Sequence, residues 1–346
     1  MMELAGKDKN MELVAFGELM LRLHSRQGLR FSQTDAYTAY YAGAEANTCV
    51  LLARLGVTTD YITRVPHNEI ALTGIRQLQG QGVGTAHVVF GGDKLGLFFT
   101  EQGNGMRPVR VIYDRTGSAY ASIRPGDIDW RNLLSGARYF HWSGIAAAVS
   151  QDAADVCHEA LTTAREMGLR ISADFNYRTT LWKYGKSPRE VMPPLLGYSH
   201  VAVADLDSAS VYYGIETDKT ASFEDRFVQC SAALQQQMPR LEVLAMSFRT
   251  PHGLQHTYSG ALLYKGACYF SIRHELPVIT DQIGSGDAFT GGMLFGLMRD
   301  LPPQQIIEFA VACGALKQSM AGDWALINRA EVEQFIQHGS SGRIIR

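Results

Sequence analysis

The chain has few cysteines and no closely spaced pair of them. Five occur in 346 residues, and no CxxC motif is present. An odd number at wide spacing argues against a zinc site and against a disulfide framework, and it fits a reducing compartment. We therefore expect free thiols and a cytoplasmic location. The cysteines are Cys49, Cys157, Cys230, Cys268 and Cys313.

Long apolar runs and an excess of either charge are also lacking. No stretch reaches membrane-spanning length, and the opening residues, MMELAGKDKN, contain no apolar signal core. The formal net charge is −2, which argues against nucleic acid or an anionic membrane as a partner held by bulk charge. We expect a soluble protein that binds neither.

What the chain does have is apolar sequence in a regular rhythm. Apolar residues make up 46% of it, and short strand-like runs alternate with segments of helical spacing. This alternation predicts an α/β fold with a mostly parallel sheet covered on both faces. The strand-like runs are 13–23, 60–65, 137–145, 169–175, 200–204 and 241–247. The helical segments are 44–56, 152–167, 188–196, 223–238, 286–299, 303–320 and 329–337.

Two stretches interrupt this rhythm, at 19–42 and 95–123. They are rich in Tyr, Phe, Thr, Val and Ile and alternate as antiparallel strands do. We expect them to form a small sheet that acts as a lid and excludes water from a reaction. The α/β domain would then comprise 11–18, 43–94 and 124–338, the lid 19–42 and 95–123, and the tails 1–10 and 339–346.

A glycine-rich stretch, ITDQIGSGDAFTGG (279–292), stands before an apolar helix. A dinucleotide fingerprint fails because Phe289 replaces the third glycine, and a Walker A loop fails because no lysine is present. The remaining reading is a strand over LPVIT (276–280), a glycine turn and a helix whose first N–H groups favour an anion. Asp287 could simply cap this helix, an interaction of about 1 kcal/mol. Beside an anion site it could instead take a proton from a hydroxyl that attacks phosphorus.

Two motifs in this order resemble those of a known family. DQIGSGDAFTGG is similar to the C-terminal signature of the pfkB (ribokinase-like) carbohydrate kinases, D-x-x-G-x-G-D, and YAGAEANTCVLLARLG (41–56) is similar to their N-terminal signature. The nearest resemblance within the family is to 2-keto-3-deoxygluconate kinases. It extends from about Met11 through FGELMLRL, VIYDRTGSA, HWSGI, ADFNYRTTLW and AVACGALKQSMAGD.

The resemblance implies a fold, a reaction and ligands. The fold would be a ribokinase-like three-layer α/β/α structure with a small β-sheet lid. The reaction would be phosphorylation of the terminal hydroxyl of a keto-sugar acid, 2-keto-3-deoxygluconate, by ATP with Mg²⁺. In some relatives a monovalent cation such as K⁺ assists near Asp281. Because exposed edges of lid sheets tend to be covered, we also expect a homodimer or higher homo-oligomer through the lids.

Roles at the reaction centre follow from the same resemblance. Asp287 would be the catalytic base, and Gly284, Ser285 and Gly286 would form the anion hole. The residues that match the sugar-binding motif are Gly43, Ala44 and Asn47, although Gly43 and Asn47 are also compatible with an ordinary helix start.

A keto-sugar acid carries a carboxylate, for which the bidentate fork of arginine is suited. Arg115 and Arg178 are the candidates. Tyr113 would add a hydroxyl contact, and Phe98 stands where the subfamily often has a tyrosine. Arg22 lies near where ribose-specific relatives use an aspartate, which argues against ribose or adenosine as substrate.

The nucleotide and metal residues follow in the same way. The nucleotide candidates are Asp205, Arg249, Gly253, Asp281, Gly314 and Lys317. The family's N-x-x-E motif reads ADLDSA (204–209) here, with Ser208 in place of the glutamate. Asp205 or Asp207 would supply oxygen ligands for Mg²⁺, or metal affinity and rate would be lower.

Two alternatives stay open from the sequence. The first is another kinase of the same fold, for fructose or a related sugar. The second is a non-catalytic nucleotide- or sugar-binding protein, for which the altered ADLDSA motif would be the reason.

Overall fold

The structure is a computed structural model that describes residues 11–103, 107–252 and 255–339. The strands are β1 (Leu13–Phe16), β2 (Met20–Ser25), β3 (Tyr37–Ala42), β4 (Thr59–Ile62), β5 (Arg64–Val65), β6 (Val89–Phe90), β7 (Gly96–Glu101), β8 (Arg110–Asp114), β9 (Tyr139–Ser143), β10 (Arg170–Asp174), β11 (Val201–Val203), β12 (Val243–His252), β13 (Gln255–Tyr264), β14 (Ala267–Phe270) and β15 (His274–Leu276). The helices are α1 (Ala44–Arg54), α2 (Glu69–Gly80), α3 (Trp130–Leu133), α4 (Gly144–Ala148), α5 (Gln151–Glu166), α6 (Pro188–Leu196), α7 (Leu206–Tyr213), α8 (Phe223–Gln237), α9 (Ser285–Met298), α10 (Pro303–Lys317) and α11 (Arg329–His338).

The main sheet contains nine strands in the order β14-β13-β12-β11-β10-β9-β1-β4, with β15 pairing to β13. The six strands from β12 to β4 run parallel, and β13, β14 and β15 are antiparallel additions. Helices cover both faces, so β1 and β9 are buried along their whole length. One apolar cluster lies beside α1, α9 and α10, and the other lies beside α5, α6 and α8. The predicted three-layer α/β fold is confirmed.

A second sheet has four strands in the order β3-β2-β7-β8. The pairs β2–β3 and β7–β8 are antiparallel, as expected within each stretch, whereas the β2–β7 pair that joins the stretches is parallel. Its inner face carries a small apolar cluster of Met20, Ala42 and Phe98, against which Tyr113 packs. This sheet therefore presents apolar side chains to whatever lies beneath it.

Three of the predicted strands are corrected by the structure. The run 60–65 divides into β4 of the main sheet and β5, which pairs with β6 in a separate two-stranded sheet. The run 13–23 divides into β1 of the main sheet and β2 of the small sheet, with Gly17 between them. The strand expected over LPVIT is wrong, because β15 ends at Leu276 and an irregular loop leads to α9. Pro277 has no N–H to continue the pairing, which accounts for the end of the strand. None of the helices in the described ranges is long and apolar enough to cross a membrane.

Candidate active site

A cleft of about 350 Å³ opens between the inner face of the small sheet and the carboxyl ends of β10, β11 and β12. The N-termini of α1 and α9 close its floor. Ligands of open parallel sheets bind at this edge, because the loops that leave the strands converge there. The lining residues are Met20, Ala42, Gly43, Ala44, Asn47, Phe98, Val111, Tyr113, Ile145, Asp174, Asn176, Arg178, Val203, Ala204, Asp205, Ser247, Gln282, Ile283, Gly284, Ser285, Gly286, Asp287 and Asp323.

A larger cavity, about 520 Å³, lies beside the loop that precedes α9. Arg22, His24, Arg107 and Asp281 border it, but Asp287 and the N-terminus of α9 do not. The smaller cleft is therefore the candidate active site, since the groups able to do chemistry converge there.

The N-terminus of α9 supplies an anion site at the floor of the cleft. Gly284 is the N-cap, with a left-handed φ of 83°, and a Cβ there would overlap the carbonyl oxygen of Asp323. The N–H of Ser285 donates to the carbonyl of Gln282 at 3.3 Å. The N–H groups of Gly286 and Asp287 have no acceptor among the residues that the structure describes. These two N–H groups, at the positive end of a 14-residue helix, favour a bound anion.

The carboxyl group of Asp287 stands beside these N–H groups. Its Oδ2 accepts a hydrogen bond of 2.7 Å from Nδ2 of Asn47. Burial raises the pKa of Asp287 to about 6, although the Asn47 bond and the charge of Arg178 oppose the increase. A carboxylate whose pKa lies close to neutrality is suited to act as a general base.

The start of α1 places the predicted sugar-binding residues in the same cleft. Gly43 is the N-cap, and a Cβ there would overlap the carbonyl of Glu18, so only glycine fits this close approach. The N–H of Asn47 donates to the carbonyl of Gly43 at 2.7 Å. The helix start therefore fixes Asn47 with its amide directed at Asp287, and Ala44 lines the cleft beside it.

The two arginines predicted to bind a carboxylate differ in the structure. Arg178 is exposed, lines the cleft, and donates through Nη1 to the carbonyl of Tyr177 at 2.9 Å. Its guanidinium has no carboxylate within 4 Å in the described part of the chain. Arg115 instead lies buried in an ion pair with Glu18, which Ser118 also contacts. The geometry does not support Arg115 as a carboxylate binder, because Glu18 already neutralises it.

The aromatic pair predicted to contact the sugar lies on the inner face of the small sheet. Phe98 is buried, Tyr113 is half-buried, and their ring centroids are 5.9 Å apart. Both line the cleft opposite Asp287. The small sheet can therefore cover a ligand that reaches the base.

The predicted nucleotide residues other than Asp205 differ in where the structure places them. Arg249 donates to Oε1 of Gln282 at 2.6 Å and to Oγ of Ser285 at 3.3 Å, so it stands next to the anion site with neutral partners. Gly314 lies inside α10, where a Cβ would overlap the ring of Tyr258, so its contact with a nucleotide is not supported. Gly253 lies outside the described residues. Asp281, in the loop that precedes α9, and Lys317, at the end of α10, are both buried.

The residues predicted to hold Mg²⁺ lie at the start of α7. Asp205 is the N-cap and accepts from the N–H of Ser208 at 2.8 Å and from the Ser208 hydroxyl. Asp205 also lines the cleft, whereas Asp207 is exposed outside it. No cluster of three metal-ligating side chains occurs within 11–103, 107–252 and 255–339.

Three cleft residues and one buried neighbour of the cleft were not singled out from the sequence. Asp174 ends β10 and Asn176 follows it within the motif ADFNYR, and a position at the carboxyl end of a parallel strand could have indicated them. Asp323 belongs to the quoted SMAGD. Glu45 is buried in the first turn of α1, where burial raises its pKa to about 7, and no sequence signal distinguishes it from a helix-start acid.

Comparisons with known proteins agree with this geometry. Residues 10–238 match the model of the family described as pfkB family carbohydrate kinase. The chain is 30% identical over 338 residues to 2-dehydro-3-deoxygalactonokinase from Haloferax volcanii, covering 96% of this chain and 98% of that one. The structure of 2-dehydro-3-deoxygluconokinase from Thermotoga maritima superimposes with a TM-score of 0.89 at 31% identity, covering 94% of this chain and 99% of that chain. A PfkB family carbohydrate kinase from Listeria grayi gives a TM-score of 0.87 at 32% identity, with coverage of 94% and 99%.

Proposed function

The chain belongs to the pfkB family of carbohydrate kinases, and from that premise we propose that it phosphorylates the terminal hydroxyl of 2-keto-3-deoxygluconate (2-dehydro-3-deoxygluconate) with ATP. One observation carries the proposal: the Asp287 carboxylate lines the same cleft as the Gly286 and Asp287 N–H groups, which have no acceptor among the described residues, and the Arg178 guanidinium, which has no carboxylate partner among them. The names of the relatives from Haloferax volcanii and Thermotoga maritima support a 2-keto-3-deoxy sugar acid as substrate.

The proposed reaction is an in-line transfer. The substrate hydroxyl gives its proton to Asp287 while its oxygen forms a bond to the γ-phosphorus. The bond between that phosphorus and the β–γ bridging oxygen breaks, and ADP leaves. The N–H groups of Gly286 and Asp287 stabilise the charge on the transferring group.

Recognition of the substrate follows from charge. Arg178 is the cleft cation without a carboxylate partner among the described residues, so a substrate carboxylate can pair with it. Phe98 and Tyr113 then cover the sugar from the small sheet, which we propose acts as a lid that excludes water.

The phosphates of ATP are proposed to lie beside Arg249. Its guanidinium donates to Gln282 and Ser285, both neutral, so its charge remains available for an anion. Arginine binds phosphate oxygens through paired N–H groups. The nucleotide would thus approach the N-terminus of α9 from the side opposite the sugar.

Mg²⁺ is proposed to accompany ATP near Asp205. Mg²⁺ usually binds one or two carboxylates, waters and substrate phosphates rather than a protein cage. Asp174 supports the site, because its pKa is raised by burial first and then by the negative charge of Asp287. Asp205 adds to that repulsion, which a bound cation would relieve. When bound, Mg²⁺ would neutralise charge on the phosphates.

We propose a homo-oligomer, at least a dimer, through the outer face of the small sheet, and a cytoplasmic location. Ile112 is 49% exposed there and Tyr37 is 41% exposed, and β3 and β8 pair with no further strand in the part of the chain that the structure describes. Sedimentation analysis should show a dimer or larger species that Ile112→Asp dissociates; a monomeric wild type contradicts the assembly.

The five free thiols support the proposed cytoplasmic location, which cell fractionation tests.

A substrate panel tests the proposed reaction. Purified protein is assayed for ADP release with 2-keto-3-deoxygluconate, 2-keto-3-deoxygalactonate, fructose and ribose. We expect the highest kcat/KM with a keto-sugar acid. Arg178→Ala should raise KM for that acid roughly tenfold to a hundredfold, since hydrogen bonds to charged groups contribute about 1.5–3 kcal/mol.

The control variant is Arg240→Ala, which removes an exposed arginine outside the cleft. It should leave the KM for the keto-sugar acid and the KM for ATP unchanged. Preference for fructose with no effect of Arg178→Ala would favour a fructokinase. ADP release with none of the sugars would favour a non-catalytic binding protein.

A further inference from the structure

Lys317 is a fully buried lysine beneath the loop that precedes α9. Its side chain is 0% exposed, and Nζ donates to two backbone carbonyls, those of Asp281 at 3.1 Å and Met320 at 3.3 Å. A lysine ammonium is almost never fully buried unless it is paired, because it loses its hydration. Carbonyl oxygens are also the ligands that a bare potassium ion accepts in proteins.

Three carboxylates and one guanidinium act on the charge of Lys317: Asp281 and Asp323 pair with Arg22, and Asp287 lies in the cleft. Arg22 is 1% exposed, and its Nη1 lies 2.8 Å from Oδ2 of Asp281 and 2.8 Å from Oδ2 of Asp323. Two buried carboxylates therefore face two buried side-chain cations. Burial lowers the pKa of Lys317, and the negative charges of Asp281 and Asp323 oppose that change in part.

This cluster supports the anion site directly. The N–H groups of Thr280 and Asp281 donate to the carbonyl of Gln318, and the N–H of Gly322 donates to Oδ2 of Asp281 at 3.2 Å. The carbonyl of Asp323 fills the space beside Gly284. Lys317 thus joins the end of α10 to the loop from which α9 begins.

We propose that the ammonium of Lys317 is the resident monovalent cation of this kinase, so that the reaction requires no K⁺. In the family a monovalent cation assists some members near the residue that corresponds to Asp281. That ion does not fit here, because the Asp281 carbonyl already accepts from Lys317 and a second cation would be repelled. Lys317 is a positioning residue: it holds the loop so that the N–H groups of Gly286 and Asp287 meet the phosphate.

The wild-type protein gives the first test. ADP release and the thermal unfolding midpoint are measured in potassium chloride and in choline chloride at equal ionic strength. Both should be the same in the two salts. A saturable activation of the wild type by K⁺, or a midpoint that rises with K⁺, overturns the proposal.

The second test removes the ammonium. Lys317→Ala should lose most turnover in choline chloride and recover it with K⁺ or NH₄⁺, to within a few-fold of the wild type. The same ions should raise its unfolding midpoint in the absence of nucleotide and sugar. Lys219→Ala, which removes an exposed lysine of the loop after α7, is the control and should show neither effect.

The unfolding measurement separates this inference from the proposed function, on which only the turnover measurement rests. If Lys317→Ala folds and its midpoint does not respond to K⁺ or NH₄⁺, Lys317 is only a structural residue and the proposal fails. If the variant does not fold, the same measurements are made on Lys317→Met, whose side chain has a similar volume. If K⁺ or NH₄⁺ raises the unfolding midpoint of the variant but no sugar causes ADP release, the cation site is supported and the kinase assignment is contradicted.

Discussion

At the scale of single residues, catalysis and stability place opposite demands on the charge of Asp287. The base must be ionised to accept a proton, yet its surroundings raise its pKa to about 6. Asp287→Asn should therefore abolish turnover and leave ATP affinity nearly unchanged. Calorimetric titration with ATP and an ADP-release assay check both results. Wild-type-like turnover would falsify the assignment of Asp287 as the base.

The same variant should be more stable than the wild type at alkaline pH. A raised pKa means that the folded protein favours protonated Asp287, so this stabilisation is present at low pH and is lost as pH rises through about 6. The asparagine carries no charge, and the expected gain above that pH is about 1–3 kcal/mol. Urea unfolding at several pH values measures it. Asp207→Asn, an exposed change outside the cleft, should give no such gain.

Asn47 is predicted to set the pH at which the base works. Its hydrogen bond of 2.7 Å to Asp287 stabilises the ionised carboxylate and lowers its pKa. Removing the bond in Asn47→Ala should raise that pKa, so the acid limb of kcat/KM, near pH 6 in the wild type, should move towards higher pH. Activity measured at a pH well above this acid limb should fall less than activity measured at the pH of the limb itself.

Thr48→Val is the matched control for this pH profile. The Thr48 hydroxyl contacts the backbone carbonyls of Ala44 and Asp287, not the carboxylate. The acid limb should therefore stay near pH 6 in this variant. An acid limb at the same pH in the wild type and in Asn47→Ala would show that the hydrogen bond does not set the pKa of the base.

At the scale of elements, the start of α9 depends on one glycine. Gly284→Ala would need a left-handed φ and would place a methyl group on the Asp323 carbonyl. We expect a loss of about 1–3 kcal/mol in stability and most of the turnover, measured by thermal unfolding and ADP release. Gly286→Ala is the control: its Cβ meets nothing within 4 Å, so its stability should stay near that of the wild type. Equal stability of the two variants would contradict the close approach at Gly284.

The elements were predictable where the apolar period was regular. The helices over 152–167, 188–196 and 329–337 lie within a residue or so of α5, α6 and α11, because apolar residues recur at helical spacing in each. The loop before α9 was not predictable. Val278 and Ile279 read as strand, but Pro277 ends the pairing and Val278 is 74% exposed.

At the scale of the whole molecule, the sequence motifs indicated which residues line the candidate active site but not their long-range partners. Asn47 and Asp287 could be placed together because both belong to motifs at helix starts near one sheet edge. The Arg115–Glu18 pair could not be foreseen, since 97 residues separate its members and neither lies in a pattern that specifies the other. The same holds for Lys317: the helical spacing of its segment did not indicate that its ammonium contacts two backbone carbonyls.

Arg22 joins the small sheet to the main domain, and its removal should have the largest effect on stability. In Arg22→Leu the buried carboxylates of Asp281 and Asp323 lose their shared partner. Removing one member of a buried ion pair costs about 3–5 kcal/mol, because the remaining charge stays desolvated. Urea unfolding should show that loss. Arg26→Leu breaks an exposed pair with Asp35 near the same sheet and should change stability by less than about 1 kcal/mol. Similar losses in the two variants would mean that Arg22 does not hold the small sheet over the cleft.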